Sequence, residues 1–422
     1  MSVLQRIRED SERVRAMLKA RHFDAPLDRL LELDAQVRKF QGEKERLQAE
    51  RNAASKGGPP SDDVKAHMRQ VGDRIKEIDA SFAPLEKERD ELALWIPNEV
   101  APDVPPGKAE EDNVVMREDA KRDFDFGAKP HWEVGERLGI LDIPRGVKLA
   151  GTRFYVLRGA GAALQRALIA WMIDLKLQAG LGFTEIYPPS VTTKATLLAS
   201  AHLPHFDENL YRDEDDDIWL IPTAETQLIS LHRDETIPVE RLPIRYVAFT
   251  PCFRREKMSA GRDVRGIKRV HWFDKVEMVV ITKPEDSPEE LQRLTDLAVQ
   301  VLEKLELPAQ VVERCAGDLG FVAMKGYDVN TWSPGVKEWL EVSSCSNGGA
   351  LQAERAMIRF KRDPRGKVEH PHILNASGLA LPRLMISVIE NFQQEDGSLV
   401  IPKAVRSYMG GRERVEVGEF AL

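Results

Sequence analysis

Three short stretches of this chain combine charge types suited to phosphate chemistry. The first is Phe253-Arg254-Arg255-Glu256, a Gly- and Arg-rich segment, then Val270-His271-Trp272-Phe273-Asp274-Lys275-Val276-Glu277. This pattern predicts two strands joined by a long basic loop, Ser259–Arg269. An arginine on the first strand can grip a phosphate through its planar fork. A glutamate two residues later falls on the same strand face. Phe273 offers a flat apolar surface on which a purine can stack. Each residue alone reads equally well as a surface charge or a core aromatic, but together on one hairpin they describe a cradle for ATP.

The second stretch is Glu341-Val342-Ser343-Ser344-Cys345-Ser346-Asn347. An acid followed by hydroxyls suits Mg²⁺, a hard ion that prefers oxygen ligands and keeps phosphates attached. The third, Leu374-Asn375-Ala376-Ser377-Gly378-Leu379-Ala380-Leu381-Pro382-Arg383, leads into a helix. Arg383 then sits near the helix start, where the dipole also favours negative charge. Other nucleotide sites are absent. Gly159-Ala160-Gly161-Ala162 lacks the third glycine and the downstream acid of a dinucleotide fold, and no GK[ST] phosphate loop occurs.

Metal and disulfide frameworks are not expected. The three cysteines, Cys252, Cys315 and Cys345, have no C-x-x-C spacing. His202 with His205, and His370 with His372, follow no ligand pattern and read as packing or surface residues. A net charge of −8 excludes a general nucleic-acid binder while leaving room for local basic patches. With 31% charged and 42% apolar residues the chain should fold into globular domains. It shows no run long enough to span a bilayer and no leader pattern, so a cytoplasmic protein is expected.

The elements that must position these residues divide the chain unequally. Leu30, Leu33, Val37, Phe40, Lys44 and Leu47 step by three and four, a heptad seam with one lysine. Gly57-Gly58-Pro59-Pro60 stops it, and Ser61 with Asp62 and Asp63 caps a second helix. That helix carries Val64, Met68, Val71, Ile75, Ile78, Phe82, Leu85, Arg89 and Leu92, with Pro84 expected to kink it. The two seams predict an antiparallel hairpin with arms of roughly 45 Å. Residues 101–120, rich in Pro, Gly and acids, read as a linker. Beyond it, strand-like runs (Ile218–Ile221, Tyr246–Phe249, Val276–Ile281) alternate with helices near 160–179, 286–305 and 379–394. The expected class is therefore α+β: a mostly antiparallel sheet with flanking helices over 121–422, preceded by a helical arm over 1–100.

The three stretches resemble the signature motifs of class II aminoacyl-tRNA synthetases, and their wording resembles the seryl enzymes of bacteria. Supporting phrases are Gly182-Phe183-Thr184-Glu185-Ile186-Tyr187-Pro188-Pro189, Pro222-Thr223-Ala224-Glu225 and Lys129-Pro130-His131-Trp132-Glu133. Further on stand Gly317-Asp318-Leu319-Gly320-Phe321 and Glu390-Asn391-Phe392-Gln393-Gln394. The resemblance covers essentially the whole chain. It implies an ATP-dependent ligase that joins L-serine to tRNA(Ser), and also to tRNA(Sec), through seryl-adenylate. It also implies a homodimer joined through the Gly182–Pro189 segment and a tRNA-binding role for the arm.

The resemblance also assigns residues. Arg254 and Arg383 are the catalytic arginines. ATP would contact Arg254, Arg255, Glu256, Val270, Phe273, Glu341, Val342, Ser343, Ser344 and Arg383, with Mg²⁺ on Glu341 and Ser344. Serine would lie among Thr223, Ala224, Glu225, Arg254, Glu277 and Ser377. A buried carboxylate at Glu277 would demand a hydroxyl partner and reject alanine, although a bridge from Glu277 to Lys275 or Arg269 reads as an alternative. The chain departs from the usual wording at Lys257-Met258, Trp272, Ser200-Ala201-His202-Leu203-Pro204, Gly326 and Leu340, in loops that line the pocket. A ligase with a carrier-protein acceptor would have no use for the arm, and an inactive scaffold would not explain the retained Arg254, Glu256, Glu277, Glu341 and Arg383.

Overall fold

The computed structural model describes residues 3–54, 61–257, 265–363 and 365–420. The Gly-Pro break at 56–60, Met258 and the first part of the basic loop (259–264) lie outside the described residues. Two compact units emerge, Met1–Pro97 and Asn98–Leu422.

In the first unit, α1 (Val3–Glu9) and α2 (Ser11–Ala20) precede α3 (Leu27–Ala54) and α4 (Asp62–Ala93). The long helices run antiparallel, as the cross-pairs Arg29–Glu88, Arg74–Glu43 and His67–Glu50 require. Leu30, Leu33 and Val37 are fully buried in the seam. The lysine in the heptad is explained by its partner: Lys44 Nζ lies 2.5 Å from Asp79. A distal cluster joins Leu47, Val71, Ile75 and Ile78 with Phe40, Met68 and Phe82. A separate basal cluster holds Ile7, Val14, Leu18, Leu27, Leu30 and Ile96. Ser61 caps α4 by accepting from the Val64 N–H. Pro84 does not end α4, which runs through it from Asp62 to Ala93.

The second unit is built on one eight-stranded sheet. In chain order its strands are β1 (Val114–Glu118), β2 (Phe183–Glu185), β3 (Ile244–Phe253) and β4 (Trp272–Thr282), then β5 (Ala309–Glu313), β6 (Lys325–Ser333), β7 (Glu338–Asn347) and β8 (His372–Ala380). Across the sheet they lie β1-β5-β6-β7-β8-β4-β3-β2. Every pairing is antiparallel except β2 with β3. The supposed linker therefore contributes an edge strand. Its residues are exposed on both faces, which removes the hydrophobic alternation that would have revealed it. The run Ile218–Ile221 yields only a two-residue strand, Trp219–Leu220.

The flanking helices include α5 (His131–Arg137), α6 (Ala160–Leu177), α7 (Glu225–Ser230), α8 (Ser287–Lys304) and α9 (Leu381–Asn391). Gly159, at φ +49°, starts α6 as a helix cap, so this Gly-Ala segment is a helix entry. The third helix starts later than expected because Leu379 and Ala380 remain in β8, opposite Val276 and Lys275 of β4. Pro382 then occupies the first turn of α9, where its missing N–H costs nothing. Leu164, Leu168 and Met172 of α6 share one core with Val276, Met278 and Val280 of β4 and Leu384, Met385 and Val388 of α9. Among the described residues no helix is long and apolar enough to cross a membrane.

Candidate active site

A cavity of about 520 Å³ opens over β4, β7 and β8. Strand alternation decides which residues of β4 reach it. Phe273 and Lys275 line this cavity. Trp272 and Asp274 point to the opposite face, into a separate cavity of about 800 Å³. Arg254 follows the end of β3 and donates from Nε to the Pro222 carbonyl at 3.2 Å. Its guanidinium stands 5.2 Å from the Phe273 ring centre, leaving a charged edge beside an aromatic face. Glu256 also lines the cavity, though for a different reason than strand alternation. It lies outside the strand at φ +51°, and Arg269 sits 3.8 Å from its carboxylate.

A β-bulge shapes the second stretch. Val329 pairs with Ser343 but Asn330 pairs with Glu341, so Val342 is left without a cross-strand partner. Glu341, Val342 and Ser344 all line the cavity. Ser343 turns away and donates to the Ser377 carbonyl at 2.6 Å. Arg383, in the first turn of α9, donates to the Glu341 carbonyl at 2.7 Å and lies 3.4 Å from its carboxylate. Burial favours the protonated form of Glu341, but Arg383, Arg314, Arg254 and Arg269 outweigh it and hold the carboxyl below its ordinary range. Asp328, opposite Ser344 on β6, is pushed the other way by burial, against the pull of Arg314. One carboxylate and one hydroxyl, Glu341 and Ser344, fit a Mg²⁺ that draws its remaining ligands from phosphates and water. Among the described residues no group of three His, Cys, Asp or Glu could hold an ion unaided.

The other end of the cavity is narrower in chemistry. Thr223, Glu225, Lys275, Asn375, Ser377 and His202 line it. Glu225 is buried and accepts from Gln352 at 2.6 Å and from Asn375 at 3.1 Å. Burial raises its carboxyl pKa. The Asn375 amide also donates to Glu277 at 3.1 Å, so one side chain ties the two acids together. Glu277 itself is fully buried beneath the lining. Lys275 Nζ approaches its Oε2 at 2.5 Å, yet that oxygen lacks an aligned hydrogen bond. Burial, with Arg254 and Lys275 nearby, pulls His202 down to about 3, so its imidazole is neutral at physiological pH.

Of the residues singled out from sequence, Thr223, Glu225, Arg254, Glu256, Val270, Phe273, Glu341, Val342, Ser344, Ser377 and Arg383 meet at this cavity. Ala224, Arg255, Ser343 and Glu277 do not line it. The Arg255 N–H is bonded to the Asn209 carbonyl, and Ala224 is buried at the start of α7. Lys275, Asn375, Arg314 and His202 were not singled out as site residues. The period-two step from Phe273 to Lys275 was the available signal for the lysine.

Comparisons with known proteins give the family. Residues 206–392 match the tRNA synthetase class II core domain (G, H, P, S and T), and residues 1–100 match the seryl-tRNA synthetase N-terminal domain. The serine–tRNA ligase of Thermomicrobium roseum is 51% identical over 419 residues, 98% of this chain and 94% of that protein. That of Roseiflexus sp. (strain RS-1) is 51% identical over 415 residues, covering 96% and 97%. The seryl-tRNA synthetase of Pyrococcus horikoshii, solved in complex with ATP, superposes with a TM-score of 0.91 at 34% identity, covering 98% of this chain and 99% of that one. Matched by these family models and about half identical to these relatives over nearly its whole length, the chain belongs to the seryl-tRNA synthetase family.

Proposed function

We propose that the chain activates L-serine with ATP, releasing pyrophosphate, and passes the seryl group from the adenylate to tRNA(Ser) and tRNA(Sec). One observation carries the reading. Arg254, Lys268, Arg269, Lys275, Arg314 and Arg383 line one cavity with Glu225, Glu256 and Glu341, an excess of positive charge beside an aromatic ring. A triphosphate with a purine matches that wall in charge and shape.

The serine carboxylate attacks the α-phosphorus in line, and pyrophosphate leaves. Arg254 stabilises the charge that builds on the phosphoryl oxygens, from a position fixed before reaction by Pro222 and Phe273. Phe273 stacks on the adenine, Arg383 closes the other side, and Glu256 reads the amino group, with Val270 and Val342 as packing contacts. Ser343 holds its neighbour's strand through the Ser377 carbonyl, and Arg255 anchors the turn after β3. Glu341 and Ser344 would hold Mg²⁺, which neutralises phosphate charge when bound. Thr223, Ala224, Glu225 and Ser377 form the serine pocket. Glu277 forms its floor, a carboxylate beneath the lining that would accept the serine hydroxyl once the substrate is bound.

The arm over residues 1–100 is assigned to tRNA binding, and 121–422 to catalysis in the cytoplasm. A homodimer would form along β2, one edge of the sheet, just beyond which Tyr187 is 90% exposed. Amino-acid-dependent exchange of pyrophosphate into ATP tests the reading. Serine should support exchange at least about a hundredfold better than alanine or threonine. Exchange with another amino acid and none with serine would replace it.

A further inference from the structure

We propose that His131, oriented by Glu390, is a positioning residue that fixes segment 265–270 and so sets Lys268 and Arg269 at the ATP end of the cavity. The proposal rests on the ATP-binding reading given above. Both side chains are almost wholly buried, at 1% and 0% exposure. The Ile267 N–H donates to His131 Nε2 at 3.1 Å. That nitrogen therefore carries no proton, and Nδ1–H must be the donor to Glu390 Oε1 at 2.9 Å. The backbone N–H of His131 donates to the same oxygen at 2.9 Å. Glu390 Oε2 meanwhile accepts from the Ser333 hydroxyl and the Gly335 N–H, so the carboxylate cannot swing away.

Three consecutive residues dock on this base. Arg265 lies over the Trp132 ring, 5.3 Å from its centre. Gly266, at φ +68°, packs so closely that a Cβ there would stand 1.9 Å from His131 Nε2. Ile267 is fully buried. The next three residues, Lys268, Arg269 and Val270, all line the cavity. Lys268 pairs with Glu338, and Arg269 with Glu256. Fixing the backbone at Ile267 thus fixes where two cations begin.

The test uses the full chain in serine-dependent pyrophosphate exchange, with thermal unfolding recorded beside it. H131L removes the acceptor and strands a buried N–H. It should raise KM for ATP at least about tenfold while moving KM for serine less than about threefold. H131Q, whose amide oxygen reaches the Nε2 position, should restore KM for ATP to within about threefold of the native value. Should H131L fail to fold, G266A probes the same contact from the other side and should show the same selective rise. A folded H131L or G266A with native KM for ATP overturns the proposal. So does a loss shared equally by both substrates and tracking lost stability, because that is plain scaffolding. Absence of serine-dependent exchange in the native protein would instead refute the functional reading and leave pyrophosphate exchange with the true amino acid as the assay.

Discussion

Lys275 and Glu277 stand two residues apart on β4 with their charges 2.5 Å apart, the lysine side chain 7% exposed and the glutamate fully buried. Lys275 opens onto the cavity and Glu277 lies beneath it, so the pair forms a charged floor whose carboxylate keeps one oxygen without an aligned donor. Burial raises the Glu277 carboxyl, and Lys275 opposes that rise.

Glu277→Gln should therefore do two things. Breaking a buried pair from one side leaves the Lys275 ammonium uncompensated and should cost about 3 kcal/mol of stability. A neutral amide also holds the serine hydroxyl less strongly, so the ratio of serine to alanine activation should fall at least about tenfold. An unchanged ratio, with only the melting temperature lowered, would assign Glu277 to the scaffold.

Asp274 gives a pH dependence that belongs to the other face of the same strand. Burial pushes its carboxyl up to about 6, partly opposed by a 2.7 Å hydrogen bond from Gln165. The folded state then holds this proton more tightly than the unfolded state, whose carboxyl titrates near 4. Stability is lost as pH rises from about 4 through 6, because the ionised form is disfavoured in the fold. Asp274→Asn removes that loss. In urea unfolding the variant should match the native protein near pH 4 and exceed it by up to about 3 kcal/mol at pH 7. A constant difference across this range would contradict the assignment.

The arm can be shortened where its own packing divides. Residues 38–82 hold the distal cluster, whereas Leu30, Leu92 and Ile96 belong to the base. Replacing 38–82 by a short glycine-rich connection should leave serine-dependent exchange within about twofold of native. Charging of tRNA(Ser) should fall at least about a hundredfold in kcat/KM, as expected when a large binding surface is lost. Undiminished charging would make the arm a purely structural element.

The sequence was legible where one periodicity ruled. The heptad seam from Leu30 to Leu47 gave the hairpin, and even Lys44 resolved into a pair with Asp79. The strand step that placed Phe273 at the cavity also places Lys275 there. Legibility failed where local geometry broke the period. The bulge at Val342 sends Ser343 to the Ser377 carbonyl, and the positive φ of Glu256 turns it without a strand. Val114–Glu118 escaped notice because an edge strand exposed on both faces carries no alternation. Asn375 was within a quoted motif, but its bridge between Glu225 and Glu277 depends on two strands and a helix meeting. No single-chain pattern encodes such a meeting.

The central claim is that Arg254 holds the reacting phosphate of ATP while serine attacks it. Arg254→Ala keeps the backbone of the turn and removes the guanidinium over Phe273. Serine-dependent exchange measured on the folded variant tests this claim most directly. The account predicts a fall of at least about a thousandfold in kcat, as expected for losing a charged donor used in the transition state, with the melting temperature near native. Exchange within about tenfold of native in a folded Arg254→Ala protein would contradict it.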